Sequence, residues 1–248
     1  MNYRIFVPAR LGSSRLENKP LIEINGKTVI QRCLEQCPSH PILVCPTDDA
    51  AAILKGIDHS VKFDLILTER THEKNIHCGT DRIAMAVEQY PNLMEGVDIA
   101  INLQGDNVVY PQSIFDQLAL FHESIKERMD GEVRSFISTV VSPKASNNSV
   151  IAIMGEEDRV ITFFRPMGYE RLCSFPGHYH LHRGIYCYSQ KALKHWLLLR
   201  PTEIEQQEKL EQMRWIVHRL PIYAMVNNGP WLGINTIANV EYARKVLK

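Results

Sequence analysis

Tyr3-Arg4-Ile5-Phe6-Val7-Pro8-Ala9-Arg10-Leu11-Gly12-Ser13-Ser14-Arg15-Leu16-Glu17-Asn18-Lys19-Pro20 begins with a short apolar run and passes into a loop of glycine, serine and bases. Tyr3–Pro8 predicts a buried strand, and Thr28–Cys37 follows with Val29, Ile30, Cys33 and Leu34 at helical spacing. Strand-like runs at Ile42–Cys45, Leu65–Leu67 and Val97–Leu103 then alternate with helical patterns at Ala50–Lys55, Thr80–Tyr90 and Pro111–Arg128. Pro111 suits a first helical turn. Such alternation predicts an α/β fold with a mostly parallel sheet covered on both faces. In open sheets of that kind, ligands bind at the carboxyl ends of the strands, which is where this loop falls.

The second half reads differently. Strands are expected at Phe136–Val141, Ser149–Met154, His180–Tyr188 and Pro221–Val226. Helices are expected at Lys191–Leu199, Glu203–Trp215 and Val240–Leu247, after a loop-rich stretch around Pro166, Gly168, Pro176 and Gly177. The chain shows no repeat or long linker, so one domain over 1–248 is expected. Residues 130–190 read as an antiparallel arm whose own core is small.

The 248 residues carry 28 Lys and Arg against 28 Asp and Glu. That balance argues against bulk capture of nucleic acid or an anionic membrane, but not against a local basic pocket. No apolar run is long enough for a bilayer span, and the first residues lack a signal-peptide pattern. Cys33, Cys37, Cys45, Cys78, Cys173 and Cys187 form no Cys-x-x-Cys pair. The expectation is a reduced cytoplasmic protein.

Two constellations carry chemistry. In the first loop, Gly12, Ser13 and Ser14 can offer backbone N–H groups to phosphate, while Arg10, Arg15 and Lys19 supply cations. A triphosphate needs that arrangement, because its leaving pyrophosphate gathers most of the developing charge. The loop is neither a Walker A motif nor a Gly-x-Gly-x-x-Gly fingerprint. In the second, Ile101-Asn102-Leu103-Gln104-Gly105-Asp106-Asn107 places a carboxylate just past a buried strand. Asp106 there either holds Mg²⁺ against phosphate oxygens or caps a turn beside glycine, and the motif alone leaves both open. His178, His180 and His182 alternate and could mimic a zinc site, but no fourth ligand is evident nearby. Trp196, Leu197, Leu198 and Trp215 read as core or subunit contacts.

Taken in order, several blocks resemble the cytidylyltransferases that activate 3-deoxy-manno-octulosonate as its CMP derivative. They are Pro8-Ala9-Arg10, Ser13-Ser14-Arg15-Leu16, Lys19-Pro20-Leu21, Asn25-Gly26-Lys27, Thr47-Asp48-Asp49, Gly79-Thr80-Asp81-Arg82 and Asn102-Leu103-Gln104-Gly105-Asp106. His182-Arg183-Gly184-Ile185-Tyr186 and Glu208-Lys209-Leu210-Glu211-Gln212-Met213-Arg214 extend the likeness over nearly the whole chain.

The resemblance implies a three-layer, Rossmann-like nucleotidyltransferase fold, a homodimer built through the second half, Mg²⁺ as cofactor, and CTP with a small sugar acid as substrates. It places Pro8, Ala9, Arg10, Gly12, Ser13, Arg15 and Lys19 on the nucleotide, with Gly79 and Thr80 near the cytosine. Arg10, Lys19 and Asp106 would carry catalysis, Asp106 as the Mg²⁺ ligand. Gln104, Arg165, His182, Tyr186, Glu211 and Gln212 would meet the sugar acid. No protein nucleophile is implied, only positioning and charge neutralisation.

Departures from the family pattern cluster at the chemistry. Gly233-Ile234-Asn235-Thr236 stands where the family has Gly-Val-Asp-Thr, whose Asp is a second metal ligand. Asn235 offers one neutral oxygen in its place, so a second Mg²⁺ is expected to bind more weakly. Gln104-Gly105-Asp106-Asn107 replaces Gln-Gly-Asp-Glu, removing another acid. Asn75-Ile76-His77-Cys78-Gly79-Thr80, Phe163-Phe164-Arg165-Pro166 and His182-Arg183-Gly184 also differ from the usual runs. Fewer acids and one added arginine leave a more positive pocket. The expected reaction is CMP transfer from CTP to the anomeric hydroxyl of a 3-deoxy-manno-octulosonate-like acid, releasing pyrophosphate. The alternatives are the same chemistry on another ulosonate or a phosphonate acceptor, or a CTP-binding paralogue without catalysis.

Overall fold

A computed structural model describes residues 1–12, 16–69, 78–129, 135–143, 150–165 and 179–248. Ser13, Ser14, Arg15, Asn75, Ile76, His77, Pro166, Cys173 and His178 lie outside them. In chain order the strands are β1 Tyr3–Pro8, β2 Glu23–Ile24, β3 Lys27–Thr28, β4 Ile42–Pro46, β5 Asp64–Thr68, β6 Ile99–Leu103 and β7 Asn107–Val109. They continue with β8 Ile137–Ser142, β9 Ile151–Met154, β10 Val160–Phe164, β11 Tyr179–Ser189, β12 Ile222–Val226 and β13 Leu232–Gly233. The α-helices are α1 Val29–Glu35, α2 Thr47–Lys55, α3 Gly79–Gln89 and α4 Ile114–Arg128, then α5 Gln190–Leu198, α6 Glu203–Glu208, α7 Gln212–Val217 and α8 Ile237–Val246. A 3₁₀ turn spans Lys19–Leu21.

The chain divides into two compact units. The first comprises Arg4–Glu95, Ile101–Ile114 and Gly229–Lys248. Its sheet has the parallel pairs β1–β4, with Phe6 opposite Ile42 and Pro8 opposite Val44, and β4–β5, with Ile42 opposite Asp64. Every residue of β4 is buried, as a parallel strand covered on both faces requires. Between β2 and β3, Asn25 and Gly26 both take positive φ (48° and 80°), the geometry of a two-residue hairpin turn. Thr28 ends β3 and caps α1, its hydroxyl oxygen accepting from the Gln31 N–H at 3.2 Å. The C-terminal helix α8 packs Val240 and Ala243 against Ile24, Val29, Val108 and Ile234. Asn25 reinforces that contact by donating to the carbonyls of Arg244 and Leu247 at the end of α8, at 2.8 and 2.6 Å.

The second unit comprises Met1–Tyr3, Gly96–Ala100 and Phe115–Asn228. Here β11 pairs antiparallel with β8 and β9, β9 with β10, and β12 runs parallel to β8. Trp196, Trp215, Tyr186 and Tyr188 are among its fully buried side chains. The antiparallel character expected after Phe136 is present, and β10 adds a strand that the sequence pattern did not predict.

The single helix expected over Glu203–Trp215 is instead two. Lys209 takes a left-handed conformation (φ 53°) that ends α6, and α7 starts three residues later. The break has a physical reason. Residues nine apart lie about 180° around a continuous helix, yet Arg214 must reach Glu205. With the chain turned at Lys209, the Arg214 guanidinium donates to both Glu205 carboxylate oxygens, at 2.8 and 2.5 Å. Its carbon also lies 4.2 Å from the centre of the Trp196 ring.

Candidate active site

In the first unit, β1 delivers its chain to the sheet edge through Pro8 and a buried Ala9, whose N–H donates to the Val44 carbonyl at 3.0 Å. Arg10 follows, exposed. The Leu11 N–H donates to the Asp49 carboxylate at 2.8 Å, and Gly12 takes φ 78°, a left-handed turn that a side chain would strain. Gly79 starts α3 directly beside Pro8, since a Cβ there would lie 3.0 Å from the proline Cγ. Cys78 caps the helix reciprocally with Asp81: the Asp81 N–H donates to the Cys78 sulfur, and the Cys78 N–H donates to the Asp81 carboxylate. Thr80 is buried, with the Asn102 amide donating to its hydroxyl at 3.5 Å.

One cation near this edge carried no role in the sequence reading. Arg82 is buried, donates to the Thr68 hydroxyl, and is held below the usual guanidinium range by burial and then by the charge of Arg10. Its signal was an arginine inside a helical apolar pattern, which sequence periodicity reads only as a solvated position.

The most informative geometry surrounds Lys19. Its ammonium donates to the Asp106 carboxylate and lies 3.4 Å from the Asn235 amide oxygen. Local turns place Lys19 and Asp106, and a long-range strand pairing brings in Asn235. Lys19 starts the 3₁₀ turn, which Asn18 enters in a left-handed conformation and Pro20 anchors by burial. Asp106 lies in the turn closing β6, where a Cβ on Gly105 would press within 3.1 Å of Ile30 and 3.2 Å of the Pro8 carbonyl. Asn235 comes next to Asp106 because β7, which starts right after Asp106, pairs antiparallel with β13, which ends two residues before Asn235. The Ile234 N–H donates to the Asp106 carbonyl at 2.9 Å. The N–H groups of Asn235 and Thr236 both donate to the Asn239 side chain, which fixes the backbone at the start of α8.

This donor set bears on Mg²⁺. Among the described residues no three His, Cys, Asp or Glu side chains gather to hold a metal by themselves. Asp106 and Asn235 nonetheless direct one carboxylate and one neutral oxygen toward a common cation. Mg²⁺ is bound characteristically by one or two protein oxygens with phosphates and water completing the shell. The residues fit a Mg²⁺ shared with a triphosphate.

In the second unit, His182 and Tyr186 stand on β11 with ring centres 5.1 Å apart, and Phe163 meets His182 edge-on at 5.1 Å. The Tyr186 hydroxyl donates to the Gln212 side-chain oxygen at 3.1 Å. Glu211 and Gln212 are buried at the start of α7. Arg165 is pinned to the helix break by donating to the Glu208 and Lys209 carbonyls, at 3.2 and 3.4 Å. Burial, then the charges of Arg183 and Arg165, push His182 down to about 3, so it is neutral at physiological pH. His182, Tyr186 and Gln212 are therefore brought together as one cluster, while Gln104 belongs to the first unit. The carbonyl of Gln104 accepts from the Asn107 N–H at 3.1 Å and side chain at 3.2 Å, which tightens the Asp106 turn.

A parallel sheet whose carboxyl edge carries a basic loop, a helix start and a carboxylate with a lysine describes a nucleotidyltransferase. The chain belongs to the cytidylyltransferase family, whose profile matches residues 5–222. Within it, the chain falls among the 3-deoxy-manno-octulosonate cytidylyltransferases. The one from Pseudoalteromonas atlantica is 31% identical over 95% of this chain and 94% of its own length. That from Parabacteroides distasonis is 30% identical, covering 98% and 97%. The fold matches the structure of CMP:2-keto-3-deoxy-manno-octonic acid synthetase complexed with CTP at a TM-score of 0.72 and 25% identity, over 100% of this chain and 98% of that one.

Proposed function

We propose that this cytidylyltransferase transfers CMP from CTP to the anomeric hydroxyl of 3-deoxy-manno-octulosonate or a closely similar sugar acid, with Mg²⁺. The acceptor hydroxyl oxygen bonds to the α-phosphorus as its proton passes to solvent, the bond from that phosphorus to the β-phosphate oxygen breaks, and pyrophosphate leaves. The observation that carries this reading is the Lys19 ammonium shared by Asp106 and Asn235 at the carboxyl edge of the parallel sheet. Lys19 and Arg10 supply positive charge to the triphosphate, while Pro8, Ala9, Gly12, Gly79 and Thr80 shape the nucleotide's surroundings. Ser13 and Arg15 complete that loop by similarity. Asp106 and Asn235 would hold Mg²⁺, whose chemistry would be charge neutralisation at the phosphates. On the acceptor side, Arg165 supplies a cation for the carboxylate, and His182, Tyr186, Glu211 and Gln212 supply hydrogen-bonding groups for hydroxyls. No step requires a covalent enzyme intermediate.

A homodimer and a cytoplasmic setting belong to the same reading. The homodimer rests on the family likeness of the second half of the chain. The five described cysteines are free thiols, the state a reducing compartment maintains. No helix among the described residues is long and apolar enough to cross a membrane.

The test is pyrophosphate release from a panel of nucleoside triphosphates paired with sugar acids and phosphonates. Release is expected only with CTP and an octulosonate-type acid. Release with a phosphonate instead would replace the acceptor class, and CTP binding without release under any pairing would refute the enzymatic reading.

A further inference from the structure

His182 is held from behind by a residue that no motif singles out. Thr139 is fully buried on β8, and its hydroxyl contacts two partners: the Ile185 carbonyl at 2.6 Å and His182 Nε2 at 2.9 Å. A threonine hydroxyl has a single proton, and a carbonyl can only accept, so that proton goes to Ile185. Only lone pairs of the Thr139 oxygen then face His182, and Nε2 must bring the hydrogen. The arrangement depends on an irregularity in the sheet. The β11–β8 register shifts between His182 and Tyr186, and Gly184 takes φ 65° within the shift. The irregularity puts the Ile185 carbonyl within reach of the Thr139 side chain.

From this geometry we infer that Thr139 is a positioning residue that locks His182 as its Nε2–H tautomer, leaving the Nδ1 lone pair to accept a hydrogen bond from a hydroxyl of a polyhydroxylated acid. The inference rests on the reading of His182 as an acceptor-side residue and deepens it. A bare ring nitrogen repels a carboxylate and attracts a hydroxyl hydrogen. His182 therefore selects the polyol part of the acceptor, while Arg165 is the group suited to its acid. Phe163 and Tyr186 restrict ring reorientation, so the chemical identity of the two nitrogens is preserved. The low proton affinity of His182 agrees with a ring that stays neutral throughout turnover.

The experiment compares Thr139→Val, which keeps shape but removes the hydroxyl, with Thr139→Ser, which retains it. Long-range ¹⁵N–¹H correlation spectra of histidine-labelled protein report the tautomer without substrate, the His182 signals being assigned by their loss in His182→Gln. Wild type and Thr139→Ser are expected to show Nε2–H, and Thr139→Val a mixture or Nδ1–H. With acceptor varied, Thr139→Val should raise the acceptor KM about tenfold, the worth of one neutral hydrogen bond. The CTP KM should stay unchanged, and Thr139→Ser should restore the acceptor KM. An Nδ1–H signal in wild type, or an unchanged tautomer in a folded Thr139→Val, overturns the lock. A changed tautomer with an unmoved acceptor KM overturns the selection of hydroxyls. Absence of turnover by wild type with every acid would instead defeat the functional reading, and the spectra would still decide the lock.

Discussion

Replacing Lys19 by methionine tests the centre of the nucleotide side. The ammonium donates to Asp106 and approaches Asn235, with side chains only 17% and 12% exposed for Lys19 and Asp106. Two consequences separate. Removing a preorganised cation aimed at developing phosphate charge costs roughly 100- to 1000-fold in kcat, or about 3–4 kcal/mol of transition-state stabilisation. Removing the partner of a mostly buried carboxylate also destabilises the free protein, by about 1–3 kcal/mol. For a chain of this length each kcal/mol lowers the melting temperature by roughly 2–4 °C. The assays are continuous pyrophosphate release and thermal unfolding of the same preparation. Lys19→Arg should recover stability better than rate, because a planar guanidinium cannot reproduce a point charge at the same site. If Lys19→Met melts lower yet keeps kcat within about threefold of wild type, Lys19 is only a structural partner of Asp106 and the proposed chemistry is wrong.

Asn235→Asp adds a second carboxylate facing the same cation position. It should lower the Mg²⁺ concentration for half-maximal activity by about tenfold, and an unchanged metal titration would show that Asn235 does not share the ion. Glu205→Gln strands the buried Arg214 charge between Trp196 and an amide. It should cost about 3–5 kcal/mol in urea unfolding, and a loss under about 1 kcal/mol would refute the role given to that pair in breaking the helix. His122 is buried against Phe136, bonds to the Ser138 hydroxyl at 2.9 Å, and is pushed down to about 3 by burial. Because its folded value lies below the unfolded one near 6.5, the unfolded state takes up a proton as pH falls through that interval. Stability should therefore be fully present above pH 6.5 and decline toward pH 3 by up to about 1.4 kcal/mol per pH unit from this group. His122→Gln should flatten that slope in urea titrations between pH 7 and pH 5, and an unaltered slope would remove His122 as its source.

The elements legible in the sequence are those whose information is contiguous. Ile42–Pro46 announces a buried parallel strand and Ile99–Leu103 a buried strand, because both are near-continuous apolar runs whose side chains are all buried. The β2–β3 hairpin is not among the expected elements: Asn25-Gly26 favours the positive φ values it needs, but its strands of two residues each leave no alternation to read. The helix over Glu203–Trp215 misled for the opposite reason. Its polar pattern is continuous, but the decisive term is the Glu205–Arg214 pair, which exists only once the chain bends at Lys209.

The same division runs through the site. By itself the sequence determined the parallel α/β scaffold, the basic loop after β1 and the carboxylate after β6, because a strand followed by a loop residue is a neighbour relation along the chain. Tertiary structure decided that Asn235 joins Lys19, 216 residues away, through β7 and β13, strands of three and two residues too short to leave a periodic signal. It also decided which nitrogen of His182 carries hydrogen, since that follows from where the lone proton of Thr139 is directed across a shifted β-ladder. Hydrophobic pattern selects the layers. The identity and protonation of the groups that meet in space are settled by long-range pairing.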